Sequence, residues 1–122
     1  MSRAIAWAVL IILSKQFLNL NLKMDKEKKY YYLKLNPPRA TFPQDISPDE
    51  AKIMAEHSAY WKVLLEKRIC LVYGPVFDPK GFFGIGIIAI DNEEQLSSII
   101  NNDPAGKLGK YEFYPMRAIF PS

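Results

Sequence analysis

Residues 69–90 read ICLVYGPVFDPKGFFGIGIIAI, and the reading of the fold turns on them. Ile69 to Val72 is a short apolar run closed by Gly74-Pro75, and Phe82 to Ile90 is a longer one. Between them, Phe77-Asp78-Pro79-Lys80-Gly81 is a turn cluster. The pattern predicts two consecutive strands, over 69–72 and 82–90. Gly84 and Gly86 lie inside the second, where glycine signals a bulge or a close backbone approach.

Working outward, each side adds one helix and one strand. Upstream, Ser47-Pro48-Asp49-Glu50 is a helix start: a capping serine, proline at the first helical position, acids at the positive helix end. That helix is predicted to reach about Arg68. Glu50, Met54, His57, Trp61 and Leu64 or Leu65 fall on one stripe at a 3.6-residue period. Before it, the proline-rich residues 37–46 read as a loop, and Tyr30 to Asn36 as a strand. Downstream, Asp91 or Asn92 caps a second helix, from Glu93 to about Asn101, stopped by Asn102-Asp103-Pro104. A loop with Gly106 and Gly109 leads to a last strand over 110–120, in which Pro115 marks an edge or bulge. The order βαββαβ is the split βαβ, or ferredoxin-like, arrangement: an α+β fold with two helices on one face of a four-stranded antiparallel sheet. The other face carries apolar side chains too, which predicts a homodimer packed sheet to sheet.

Charge and composition exclude several classes. The chain has 122 residues, one cysteine (Cys70) and one histidine (His57). A disulfide framework, a cysteine-rich zinc site and any site needing two imidazoles from one chain are therefore out. The +3 net charge sits in residues 1–23, which hold Arg3, Lys15 and Lys23 and no acid. Residues 24–122 have thirteen basic and thirteen acidic side chains, so the domain is neutral and lacks the electrostatic basis for binding nucleic acid. Lys80 to Ile87 (KGFFGIGI) resembles an RNA-recognition strand, but Phe83, Gly84 and Ile87 replace its small residue and two of its stacking aromatics. GFFGIG fails as a dinucleotide fingerprint because no helix opens behind it.

Ala4 to Leu13 is an apolar run of ten, too short for a membrane span of ~20 residues. It has the n-region and h-region of a signal peptide, without a small-x-small cleavage site after it. Met24 opens MDKEKKYYYLKL, a natural soluble start. Residues 1–23 are thus read as a start-site artefact or loose extension, as an inefficient signal or anchor, or as a structural element, ahead of a domain over 24–122. The expected location is cytoplasmic, or exported if the segment is a signal.

Two residues stand out for chemistry. His57 lies at the centre of the apolar stripe, one turn from Ile53, Tyr60 and Trp61, and should face the sheet. A buried histidine satisfied by a carbonyl is one reading; a general base or acid is the other, since an imidazole titrates near neutral pH. Asp103 ends the second helix, where a carboxylate faces the negative end of the dipole and needs compensation. Either a histidine supplies it, or Asn102-Asp103-Pro104 is only turn chemistry. Arg39, after Pro37-Pro38, is a candidate carboxylate clamp or a solvated loop arginine. Cys70 reads as a small core hydrophobe.

Together, His57, Gly74-Pro75, Gly81, Asn92-Glu93-Glu94, Asp103-Pro104, Gly109 and Tyr114-Pro115-Met116-Arg117 resemble the YCII-related (YciI-like) proteins over about residues 29–120. Pro37-Pro38-Arg39-x-Thr41-Phe42, Asp45 and Tyr60-Trp61 resemble one subgroup. The resemblance implies a dimeric α+β barrel with a site built from His57 and Asp103. It also implies chemistry of a known kind: a few similar proteins are dehydrochlorinases of chlorinated hydroxyquinols, and related barrels include muconolactone isomerase. The expectation is a small lyase- or isomerase-like enzyme, without metal or organic cofactor, acting on a cyclic, phenolic or lactone-type small molecule. His57 would move the proton and Asp103 would orient it. Arg39, Tyr60, Trp61, Gly74 and Pro75 would contact the substrate. The alternative is a non-catalytic ligand-binding or accessory domain of the same fold.

Overall fold

The computed structural model describes residues 9–15 and 28–122. Most of the first 23 residues lie outside the described residues, and with them the readings offered for that segment. Residues 9–15 are helical, and Val9 to Leu13 are exposed. Among the described residues, no helix is long and apolar enough to cross a membrane.

The domain runs β1 (Lys29–Asn36), α1 (Pro48–Glu66), β2 (Cys70–Val76), β3 (Phe83–Ile90), α2 (Glu93–Asn102), a 3₁₀ turn (Pro104–Lys107) and β4 (Lys110–Met116). The four strands form one antiparallel sheet in the order β2-β3-β1-β4. This is the ferredoxin-like α+β order that the sequence predicts. Both helix starts follow local chemistry. Ser47 accepts from the Glu50 N–H while the Glu50 carboxylate accepts from the Ser47 N–H, a complete capping box. Asn92, rather than Asp91, caps α2 through the Gln95 N–H.

Burial alternates along β1, with Tyr31, Leu33 and Leu35 facing the helices. They join Ile88 and Ile90 of β3, Cys70 of β2, Trp61 and Leu64 of α1, and Leu96 and Ile99 of α2 in one core. The stripe read from the sequence is the buried one: Trp61 and Leu64 are buried while Lys52, Glu56, Lys62 and Glu66 are exposed. Gly86 is a close approach rather than a bulge: a Cβ there would lie 2.8 Å from the Trp61 ring. Gly109 is a second one, since its Cβ would lie 2.2 Å from the Asn36 carbonyl oxygen.

Two strand limits differ from the sequence reading. β2 does not stop at Gly74-Pro75 but runs through them to Val76. Pro75 is tolerated because β2 is an edge strand, where a missing N–H breaks no ladder. β4 ends at Met116 rather than at 120. Beyond it, Phe120 leaves the sheet and packs edge-on against Tyr30.

Candidate functional site

The helix-covered end of the sheet, α1, the 37–46 loop and the 3₁₀ turn line a partly open cavity of about 290 Å³. Leu35, Phe42, Met54, Trp61, Phe82 and Leu108 give it a mainly apolar wall. Its polar side chains are few: Asn36, His57, Ser58, Tyr73 and Tyr111, beside the indole N–H of Trp61. Among the described residues, no Asp, Glu, Lys or Arg lines it.

His57 reaches this wall because it lies on the buried stripe of α1, one turn before Trp61. Its Nδ1 is 2.8 Å from Oδ1 and 2.9 Å from Oδ2 of Asp103. The Asp103 carboxylate is fully buried, and the His57 side chain is 16% exposed. Asp103 belongs to two local motifs. It closes the C-terminus of α2, and its side chain caps the 3₁₀ turn by accepting from the Ala105 N–H at 2.9 Å. Turn chemistry and a histidine partner, posed as alternatives by the sequence, are both realised by one carboxylate. Trp61 Nε1–H donates to its Oδ2 at 2.9 Å, and the Tyr111 hydroxyl donates to the same oxygen.

Burial by itself would raise the Asp103 carboxyl. Hydrogen bonds from His57, Tyr111, Trp61 and the Ala105 N–H reverse this and hold it below the usual carboxylate range. The Tyr111 phenol moves the opposite way, pushed up by burial and then by its bond to, and the charge of, Asp103. Asp103 is therefore an ionised acceptor, and the ring nitrogen of His57 facing it is the N–H donor. In the neutral imidazole this tautomer places the lone pair on Nε2, the form a general base requires.

The other sequence-derived residues divide into two groups. Trp61, Gly74 and Pro75 line the cavity with His57. Arg39 and Tyr60 are not among its lining residues. The Arg39 guanidinium is committed to a bidentate pair with Glu50 (2.7 and 2.8 Å) and to Asp45 (2.9 Å). Those bonds, Glu50 first, push Arg39 further up, and Arg39 in turn holds Glu50 down at about 2. Arg39 thus fastens the loop that walls the cavity to the first turn of α1. Tyr60 donates to the Ile99 carbonyl at 2.7 Å and ties α1 to α2. Tyr111 and Ser58, which the sequence reading did not single out, line the cavity as well, and so does Phe42, which it quoted only within the subgroup motif. Tyr111 reads in sequence only as one aromatic among several in β4; its pairing with Leu35 on β1 is what brings it to the site.

Among the described residues, no three His, Cys, Asp or Glu side chains gather in a way that could hold a metal ion. The match to known families decides the relationship: residues 29–119 fit the model of the YCII-related domain. The chain belongs to the YCII-related family. No curated protein matches it significantly. The YCII-related match covers β1 through the residues beyond β4, so every element that builds the cavity lies inside it.

Proposed function

We propose that this YCII-related protein is a small enzyme of the lyase or isomerase type, in which His57 moves a proton on a cyclic, phenolic or lactone-type ligand. One observation carries this reading: the buried Asp103 carboxylate engages His57 Nδ1 on a residue that lines an apolar cavity, so Nε2 is the free nitrogen there. The pair follows the logic of a triad, in which a buried acid fixes the tautomer of the base and stabilises the imidazolium that forms. An apolar wall favours a mostly apolar ligand, with few polar groups to orient it. Trp61, Gly74 and Pro75 contact the ligand in this reading. Arg39 shapes the wall through Glu50 and Asp45. No cofactor takes part in the scheme. The protein acts as a homodimer, its open sheet face covered by a second copy.

The test is a thermal-shift screen of the full chain at neutral pH against phenols, hydroxyquinols, lactones and dicarboxylic acids, with wild type and His57→Ala side by side. The expected result is a stabilisation by a phenol or lactone that is absent in His57→Ala, followed by hydrogen–deuterium exchange or turnover of that hit in wild type only. Binding that survives His57→Ala, with no exchange or turnover, would make the domain an accessory ligand-binding module instead.

A further inference from the structure

Four donors converge on one buried carboxylate. The Ala105 N–H is fixed by the turn that Asp103 caps, and the Trp61 indole is fixed by its packing against Gly86. His57 draws on both oxygens. The fourth donor, the Tyr111 hydroxyl, comes from edge strand β4, lines the cavity, and accepts from Trp61 Nε1 at 3.2 Å. Satisfying Asp103 would be role enough for a core residue, but Tyr111 shares Oδ2 with His57 and faces the same cavity.

We propose that Tyr111 is a positioning residue that acts through Asp103: its hydroxyl draws off part of the carboxylate charge and so sets how strongly His57 holds a proton. A carboxylate stripped of one donor has more charge to offer the others. Without the Tyr111 hydroxyl, Asp103 would grip a protonated imidazole more tightly, and His57 would stay protonated to higher pH. With it, the imidazole is released as a free base at lower pH. The phenol is pushed up by burial and by Asp103, so it remains a donor across the working range.

The other groups around His57 leave Tyr111 this role. One turn either side on α1 are Ile53, Met54, Tyr60 and Trp61, none of them charged, and Tyr60 is bonded to the Ile99 carbonyl. β2 contributes Tyr73, which packs on Trp61. The turn after α2 contributes Asp103 and the exposed Lys107. Glu50 and Asp45, further along α1 and in the loop, are paired with Arg39. The inference concerns the titration of His57 and rests on the proposed function only for its catalytic consequence.

His57 is the one histidine in the chain, so its imidazole NMR signals can be followed without assignment. The titration midpoint of the full chain is compared for wild type, Tyr111→Phe, Tyr73→Phe and Asp103→Asn, with methyl dispersion reporting the fold. Tyr111→Phe is expected to raise the midpoint by about half a pH unit or more, and Tyr73→Phe to leave it in place. A folded Tyr111→Phe with an unmoved or lowered midpoint overturns the proposal. If Asp103→Asn shifts the midpoint in that case, the His57–Asp103 pair still stands; if neither variant shifts it, both readings fall. Should Tyr111→Phe not fold, 3-fluorotyrosine at position 111, a stronger donor, is expected to lower the midpoint, and an unmoved or raised value overturns the proposal.

Discussion

Asp103 is the residue on which fold and site depend together. Its carboxyl is held below the ordinary range in the folded protein, so the unfolded chain takes up its proton first as the pH falls. The sign follows: the stabilisation is fully present above about pH 4, where the unfolded carboxyl ionises, and is lost as the pH falls through the depressed folded value. Glu50, held at about 2 by Arg39, and Asp45 act in the same direction. Asp103→Asn presents a donor amide to four donors. It is expected to cost about 2–4 kcal/mol near neutral pH, because buried N–H and O–H groups lose their acceptor. It should also flatten the acid side of the stability curve. Chemical denaturation of both proteins from pH 3 to pH 8 checks this; equal slopes below pH 5 would mean that Asp103 is not the group being titrated.

At the scale of the elements, β3 and the indole of Trp61 fit closely. Gly86→Ala would place a methyl 2.8 Å from the ring, so either the strand or the ring must move. Overpacking of this kind costs about 1–3 kcal/mol. Because Trp61 also donates to Asp103, the same substitution is expected to disturb ligand binding, whereas Gly84→Ala, with only Leu35 at an ordinary 3.7 Å, should cost little stability. Thermal midpoints and the ligand shift of the two variants separate these outcomes.

What could be read in advance was local. Ser47 with Glu50, Asn92, the α1 stripe and the two interior glycines of β3 each announce themselves within a few residues. Pro75 misled because a proline ends a central strand but not an edge one, and edge position is a property of the assembled sheet. His57 and Asp103 were legible as a pair, one through its place on an apolar stripe and the other through its cost at a helix C-terminus. Tyr111 was not legible, because only the register of β4 on β1 turns it toward Asp103. Arg39 could be recognised as an ion-pairing arginine, but its partners, Asp45 and Glu50, are set by how the loop folds back on α1.

At the scale of the whole molecule, one sheet face is uncovered by helices among the described residues. Val72, Ile87, Tyr32 and Tyr114 are paired in register and form an apolar row across all four strands. Val72 is 54% exposed and Tyr114 51% exposed. A contiguous row of this kind is costly in water and is the face that a second copy would cover. Sedimentation equilibrium is expected to give twice the chain mass for wild type, and Val72→Lys with Tyr114→Lys is expected to give a monomer that keeps its secondary structure. A wild-type monomer at tens of micromolar would remove the homodimer from the proposed function.

The way Asp103 holds His57 also has a stereochemical consequence. An imidazole fixed on one wall of a pocket meets a flat ring bound there from one side only. On the proposed function, a proton would be removed from, and returned to, the same side of the ligand, and a product with a new tetrahedral carbon would be a single enantiomer. Handedness in the product would then trace back to the helix C-terminus and turn that place one aspartate beside one histidine.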